Sequence, residues 1–280
     1  MSLAEEQAGI GGHVKGLAAT LRKDNWWWEP LWTGLGFLAF ALYANWAAYQ
    51  GEHYFHENYL SPFYSPVLFT DLTAAGAAPV EHAWLGEWPP WLADLWPSFL
   101  PTSPAWLILA GPLLFRATCY YYRKFYYRSY FLSPPGCSVG GVPQKNYRGE
   151  TFLLLVQNLH RYAWYIAVAY IVILGYDGWL SLWRDGELGF GVGSFILIVN
   201  PILLGMYTFG CHSCRHLVGG QTNQFSCGPI AKMRHGCWSS VTKLNERHMM
   251  WAWISMIWVG LTDVYVRLVS MGVITDFNTW

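Results

Sequence analysis

The stretch Cys211-His-Ser-Cys-Arg-His216 carries the residue types best suited to chemistry, and it closes a long apolar run over residues 190–210. Two thiols and two imidazoles therefore appear where a membrane helix should surface. Cys211 and Cys214 are three apart, which puts both sulfurs on one face of a helical turn. Two thiolates so placed can chelate one soft metal ion or one iron of a cluster. Cys227, Cys237, His235 and His248 follow downstream. Taken singly, each of these reads as a buried structural thiol or a surface histidine. The combination Cys-x-x-Cys-x-His points instead to metal or redox chemistry.

The rest of the chain says where that chemistry would sit. Of 280 residues, 54% are hydrophobic, only 12% are charged, and 18 are tryptophan. A soluble domain carries about 25% charged residues, so the composition is that of a membrane protein. Net charge is zero, so the total says nothing about nucleic acid; no nucleic-acid partner is expected, and the distribution of charge says more. Six cysteines in a chain this long do not form a disulfide framework, because most lie at helix ends or in one loop. The first 25 residues lack the short apolar core and small-residue site of a signal peptide.

The expected fold is all-α, an integral membrane bundle of five transmembrane helices. Residues 1–25 form a cytoplasmic tail, with room for an amphipathic helix, and residues 26–280 form one five-helix transmembrane domain. Trp26-Trp-Trp28 makes an interfacial belt. Spans are expected at residues 31–49, 106–121, 152–174, 190–210 and 249–271, each near the 20 or so residues that cross the hydrocarbon. Residues 51–104 are too polar and proline-rich to span, and read as a long outer-side loop lying against the membrane surface.

Orientation follows from Lys and Arg. Lys15, Arg22 and Lys23 precede the first span; Arg123, Lys124, Arg128, Lys145 and Arg148 separate the second and third. Arg215, Lys232, Arg234, Lys243 and Arg247 separate the fourth and fifth. The opposite side holds Arg184 but many carboxylates, among them Glu52, Glu57, Asp71, Glu81, Glu87 and Asp94. The positive-inside rule then makes the N-terminus and the Cys/His loop cytoplasmic, in a multi-pass protein of the cell membrane.

This arrangement brings His160, Cys211, Cys214, His216 and His248 to one membrane face from three helices. An ionisable residue inside a span is costly and is a functional candidate by default; the plainer role for His160 is an interhelical hydrogen bond, and for His248 an interfacial position. His212 and His235 read as solvated, Cys119 and Cys137 as unpaired thiols. Asp263 and Arg267, four apart, should neutralise each other. Disulfide generation does not suit the reducing side. A structural zinc loop would leave His160 unexplained. One haem b between His160 and His216 or His248 remains open. Two Cys and two His at one depth also match a [2Fe–2S] cluster of Rieske type, although the usual Rieske motif is absent. A quinone entering from lipid would need aromatic walls and a few donors; Tyr120, Arg123, Tyr126, Trp164 and Trp251 offer these on the cytoplasmic side, and Trp179, Trp183 and Tyr265 offer walls on the outer side. Arg116, Arg123 and Arg128 beside the tyrosines could hold a quinone head-group, or simply snorkel.

Four motifs carry a family resemblance: Cys119-Tyr-Tyr-Tyr-Arg-Lys-Phe-Tyr-Tyr-Arg128, Gln157-Asn-Leu-His-Arg-Tyr162, Gly210-Cys-His-Ser-Cys-Arg-His216 and Leu244-Asn-Glu-Arg-His-Met249. With five spans in one chain, the sequence resembles the membrane-anchor subunit of an actinobacterial, mycobacterial-type succinate dehydrogenase with a membrane-embedded Rieske-type cluster. The resemblance covers spans two to five well and the tail poorly. It implies partnership with a flavoprotein and an iron–sulfur subunit on the cytoplasmic side, and electron flow from succinate to menaquinone. The succinate site would lie on another subunit, the anchor itself holding no catalytic residue. Membrane lipid is a further partner, and a higher oligomer is compatible with this reading.

Overall fold

The computed structural model describes residues 16–142, 149–220 and 223–280, with the side chains of residues 149–157 outside that set. The tail's expected amphipathic helix bears on residues 1–15, which lie outside the described residues, as do Lys15, Lys145 and Arg148. Residues 16–25 are turns and extended chain.

Ten α-helices account for more than half of the described residues. α1 is Trp28–Gln50. A loop carries the hairpin β1, Phe55–His56, with β2, Tyr59–Leu60, a 3-10 turn over Val80–His82, and α2, Pro90–Leu95. Then come α3, Ala105–Ile108, α4, Ala110–Thr118, and α5, Tyr120–Ser129. α6 runs Gly149–Leu180, followed by the hairpin β3, Trp183–Arg184, with β4, Glu187–Leu188. α7 is Val192–Phe209, α8 His212–Gly219, α9 Pro229–Glu246 and α10 His248–Ser270.

Four segments are long and apolar enough to cross a membrane: Trp28–Gln50, Asn158–Leu180, Val192–Phe209 and His248–Ser270. At 1.5 Å per residue, 23 residues reach about 35 Å, enough for the hydrocarbon. The expected second span differs. Its apolar helical part is the shorter Ala105–Thr118, because Cys119 leaves the helix for extended backbone at φ −67°, ψ 136°. The aromatic and basic run of α5 then starts a new direction. Pro201 lies inside α7; such breakers are tolerated within a bundle whose neighbours can satisfy the freed backbone groups.

The loop between α1 and α3 is built rather than splayed. Tyr54 and Tyr64 stack at 4.1 Å, and the Tyr64 hydroxyl donates to the Ala47 carbonyl at 2.6 Å. Backbone pairs Trp84–Val67 and Leu85–Leu68 close the loop on itself. It therefore caps the helix ends, while Trp84, Trp91, Leu95 and Phe99 remain exposed.

Asp263 and Arg267 on α10 do pair, at 3.4 Å, and both are buried. The carboxylate also accepts from Tyr43 and Ser61, and Arg267 donates to the Gln50 side chain and the Glu52 carbonyl at 2.7 Å. One ion pair thus ties α1, the capping loop and α10. Breaking a buried pair from one side strands the other charge, at about 3–5 kcal/mol. Asp263→Asn should therefore lower the thermal midpoint of the detergent-solubilised protein sharply, and Asp263→Asn with Arg267→Gln should recover part of the loss. Tryptophan fluorescence melts check both.

Beyond α10, Asp276 pins the C-terminal segment. Tyr59 donates to it at 2.7 Å, the Gly193 amide at 3.0 Å, and Tyr265 and Asn278 also donate. Burial works to raise this carboxyl, but the hydrogen bonds from Tyr265, Tyr59 and Gly193 prevail and hold it below the ordinary value. A lowered carboxylate stabilises the fold above its unfolded-state value, about 3.9, and loses that contribution as pH falls through the lowered folded value. Acidification below about pH 4 should therefore release residues 272–280, read as faster amide exchange there; Asp276→Asn should show that exchange already at neutral pH.

Candidate functional site

At the basic end of the bundle, four elements meet around two thiol–imidazole pairs. His160 on α6 points its Nε2 at the Cys211 sulfur, 3.0 Å away. His248, the first residue of α10, places Nε2 3.7 Å from the Cys119 sulfur. All four residues are buried, and both cysteines are free thiols. Each position has a local cause. Cys119 turns inward because the chain leaves the helix there. Cys211 is the N-cap of α8, where its sulfur accepts the Ser213 amide at 3.3 Å. His248 starts α10 beside Gly210, where an added Cβ would lie 2.8 Å from the Met206 carbonyl and 3.3 Å from His248 Nδ1. Asn245 fastens that approach by donating to the Gly210 carbonyl at 2.8 Å.

The hydrogen bonds also favour one nitrogen of His160 as the electron donor toward the sulfur. The Thr118 hydroxyl donates to the Leu114 carbonyl at 2.8 Å. With its proton placed there, it accepts from His160 Nδ1, at 2.8 Å, in the tautomer that protonates Nδ1. The lone pair of Nε2 is then directed at Cys211. An imidazole whose far nitrogen is fixed in this way is the usual geometry of a metal-ligating histidine. Burial pushes the Cys211 thiol up to about 12, against the opposing pull of the Ser213 amide. The protein alone keeps it neutral, so binding a cation there would expel a proton.

A two-iron cluster, with two thiolates and two imidazoles, fits this donor set. The buried His248 Nδ1 has no hydrogen-bond partner among the described residues, so that ring retains unused donor capacity. Among the described residues no three His, Cys, Asp or Glu side chains converge on one point; the donors come as two pairs.

Other expected site residues fall differently. Cys214 is buried in the same apolar cluster as Cys211. His216 is exposed on α8, and the structure does not bring it to His160. Two residues advance a helix by about 200°, so His216 faces away from Cys214. Cys119, read as an unpaired thiol, is a free and buried thiol, and its sulfur lies 3.7 Å from His248 Nε2, a proximity the spacing did not show.

Beside the pairs lies a cavity of about 390 Å³ between α1, α4, α5, α6 and α7. Phe115 and Tyr207 form its wall toward the donors. Phe115 stacks on His160 at 4.7 Å and Tyr207 on His248 at 4.9 Å. Of the quinone candidates, Tyr126 lines this cavity. Tyr120 is exposed, with the Arg123 guanidinium 5.3 Å from its ring. Trp164 is buried and donates to the Thr208 carbonyl at 2.9 Å. Trp251 is half-buried, its N–H without a hydrogen-bond partner among the described residues.

Fold and site together define a multi-pass helical membrane protein that gathers thiols and imidazoles at one end. The family model of the actinobacterial succinate dehydrogenase subunit SdhC matches residues 28–272, and the chain belongs to that family, a membrane-anchor subunit of an oxidoreductase complex. It is also similar to a chain in the structure of the Mycobacterium smegmatis Sdh1 complex in the apo form. The identity is 42%, over 93% of this chain and 94% of that one, with a TM-score of 0.79. No curated protein matches the chain.

The tautomer of His160 is testable. Thr118→Val removes the acceptor for His160 Nδ1–H. Losing such an outer partner costs roughly 10–100-fold in metal affinity, so a metal held there would be released to a chelator faster from the variant than from wild type, while Thr118→Ser would hold it.

Proposed function

We propose that the protein anchors the flavoprotein and iron–sulfur subunits of succinate dehydrogenase at the cytoplasmic face of the cell membrane. In this reading it relays electrons from succinate to menaquinone through a Rieske-type [2Fe–2S] centre. The chain crosses five times with its N-terminus inside, the short Ala105–Thr118 helix completing the second pass together with the chain around it. The observation that carries the redox reading is the paired arrangement of His160 with Cys211 and Cys119 with His248. The likeness to the mycobacterial complex supports the partner subunits.

Bound there, a [2Fe–2S] centre would supply one-electron transfer at a potential raised by its imidazole ligands. The chain's own residues supply the rest. His160 and His248 give neutral nitrogen donors, Cys119 and Cys211 give thiolates, and Thr118 orients His160. Phe115, Tyr207 and Tyr121 screen the donors from water, Tyr121 lying 5.3 Å from His248. Of Tyr120, Arg123, Tyr126, Trp164 and Trp251, Tyr126 lines the cavity that an apolar quinone would enter.

The ligand set separates cleanly by mutation. Cys211→Ser and Cys119→Ser should each lose acid-labile sulfide and its iron from the membrane subunit without dissociating the complex, whereas Cys214→Ser and His216→Ala should retain both. Iron and sulfide analysis of each purified complex checks this. Loss in Cys214→Ser with retention in Cys119→Ser would restore the Cys211–Cys214 pairing. Zinc, or iron without sulfide, in the wild type would contradict the cluster altogether.

A further inference from the structure

The turn between α7 and α8 carries Cys211, and two buried side chains from other elements grip its backbone. Trp164 on α6 donates its indole N–H to the Thr208 carbonyl at 2.9 Å, the same oxygen that receives the Cys211 amide at 3.3 Å. Asn245, in the last turn of α9, donates to the Gly210 carbonyl at 2.8 Å. Carbonyls at the end of a helix have no partner within it, so each bond has a plain structural reason. That reason does not account for where the two donors come from. Trp164 lies one helical turn beyond His160 on α6, and Asn245 lies three residues before His248. Each imidazole is thus tied, through a neighbour on its own stretch of chain, to the turn that carries Cys211. Gly210 measures how close the second tie is: a Cβ there would lie 3.2 Å from the Leu244 carbonyl and 3.3 Å from His248 Nδ1.

We propose that Trp164 and Asn245 are positioning residues for the redox centre, Trp164 setting His160 and Asn245 setting His248 against the turn that carries Cys211. This rests on the redox reading above and adds the side chains that hold its geometry. The donors come as two pairs, His160 with Cys211 and His248 with Cys119. One centre can use both pairs only if they keep a fixed separation, and the Asn245 bond links the turn of the first pair to the chain of the second. Removing the Asn245 amide leaves the buried Gly210 carbonyl short of its donor. An unpaired buried carbonyl is costly enough to make the two corners reseat. Removing the Trp164 N–H disturbs Thr208 less, because the Cys211 amide still reaches that oxygen. A ligand histidine that is no longer held in place directs its lone pair less squarely at the metal, which weakens the coupling of its nitrogen to the unpaired electron.

The test is pulsed electron paramagnetic resonance of the complete purified complex in its reduced state. The two nitrogen couplings are assigned by their loss in His160→Cys and in His248→Cys. Asn245→Leu, close in size but without the donor, should keep its iron and acid-labile sulfide, weaken the His248 coupling and leave that of His160 unchanged. Trp164→Phe should weaken the His160 coupling by a smaller amount and leave that of His248. A merely structural role would disturb both nitrogens together, or neither. Asn245→Ala and Trp164→Leu are read in the same way if the first variants fail to assemble. A nitrogen spectrum identical to wild type in either variant, a change in the wrong nitrogen or in both, or loss of iron from an assembled variant overturns the assignment. Two coupled nitrogens in the wild type keep the proposed function intact in that event. A reduced wild type with no coupled nitrogen overturns both.

Discussion

The hydrogen-bonded chain from the Leu114 carbonyl through Thr118 and His160 to Cys211 is the interaction on which the basic end of the molecule depends. It joins α4, α6 and the α7–α8 junction, elements far apart in sequence, and it fixes the direction of a lone pair. Without water, none of these groups could be satisfied except by one another. The break at Cys119 follows directly from where Thr118 is held. That break in turn points Cys119 at His248 and sends the tyrosine-rich α5 across the bundle toward α1.

The opposite end solves the same problem with different chemistry. Asp263 and Arg267 cannot be solvated, so Tyr43, Ser61, Gln50 and the Glu52 carbonyl complete their coordination. The consequence is a capping loop locked to α1 and α10. Between the two polar ends the bundle is apolar, and the cavity occupies that middle ground. Its inner wall is shared with the imidazoles, so a ligand in the cavity and a redox centre at the donors would be neighbours by construction.

Much of this was legible in the residues. Apolar length placed α1, α6, α7 and α10, and the positions of His160, Cys211 and His248 on those helices predicted their meeting. The Asp263–Arg267 pair followed from a spacing of four. Three things were not legible. His216 was assigned on spacing from Cys214, but the start of α8 at His212 rotates it to the opposite face. Cys119 looked like a span-end thiol because its approach to His248 depends on the backbone break at that residue. The second span looked continuous because hydropathy does not register a change of direction. The cavity lay beyond sequence reasoning for a simpler reason: its walls come from seven helices and a loop.

The central claim is that imidazoles from His160 and His248 face a single redox centre in company with thiols. Electron–nuclear double resonance on the reduced complex measures this most directly. Two strongly coupled nitrogen nuclei should appear in the wild type, with one of them lost in His160→Cys and the other in His248→Cys. A reduced centre whose spectrum shows no strongly coupled nitrogen, or the same two in both variants, would contradict the account.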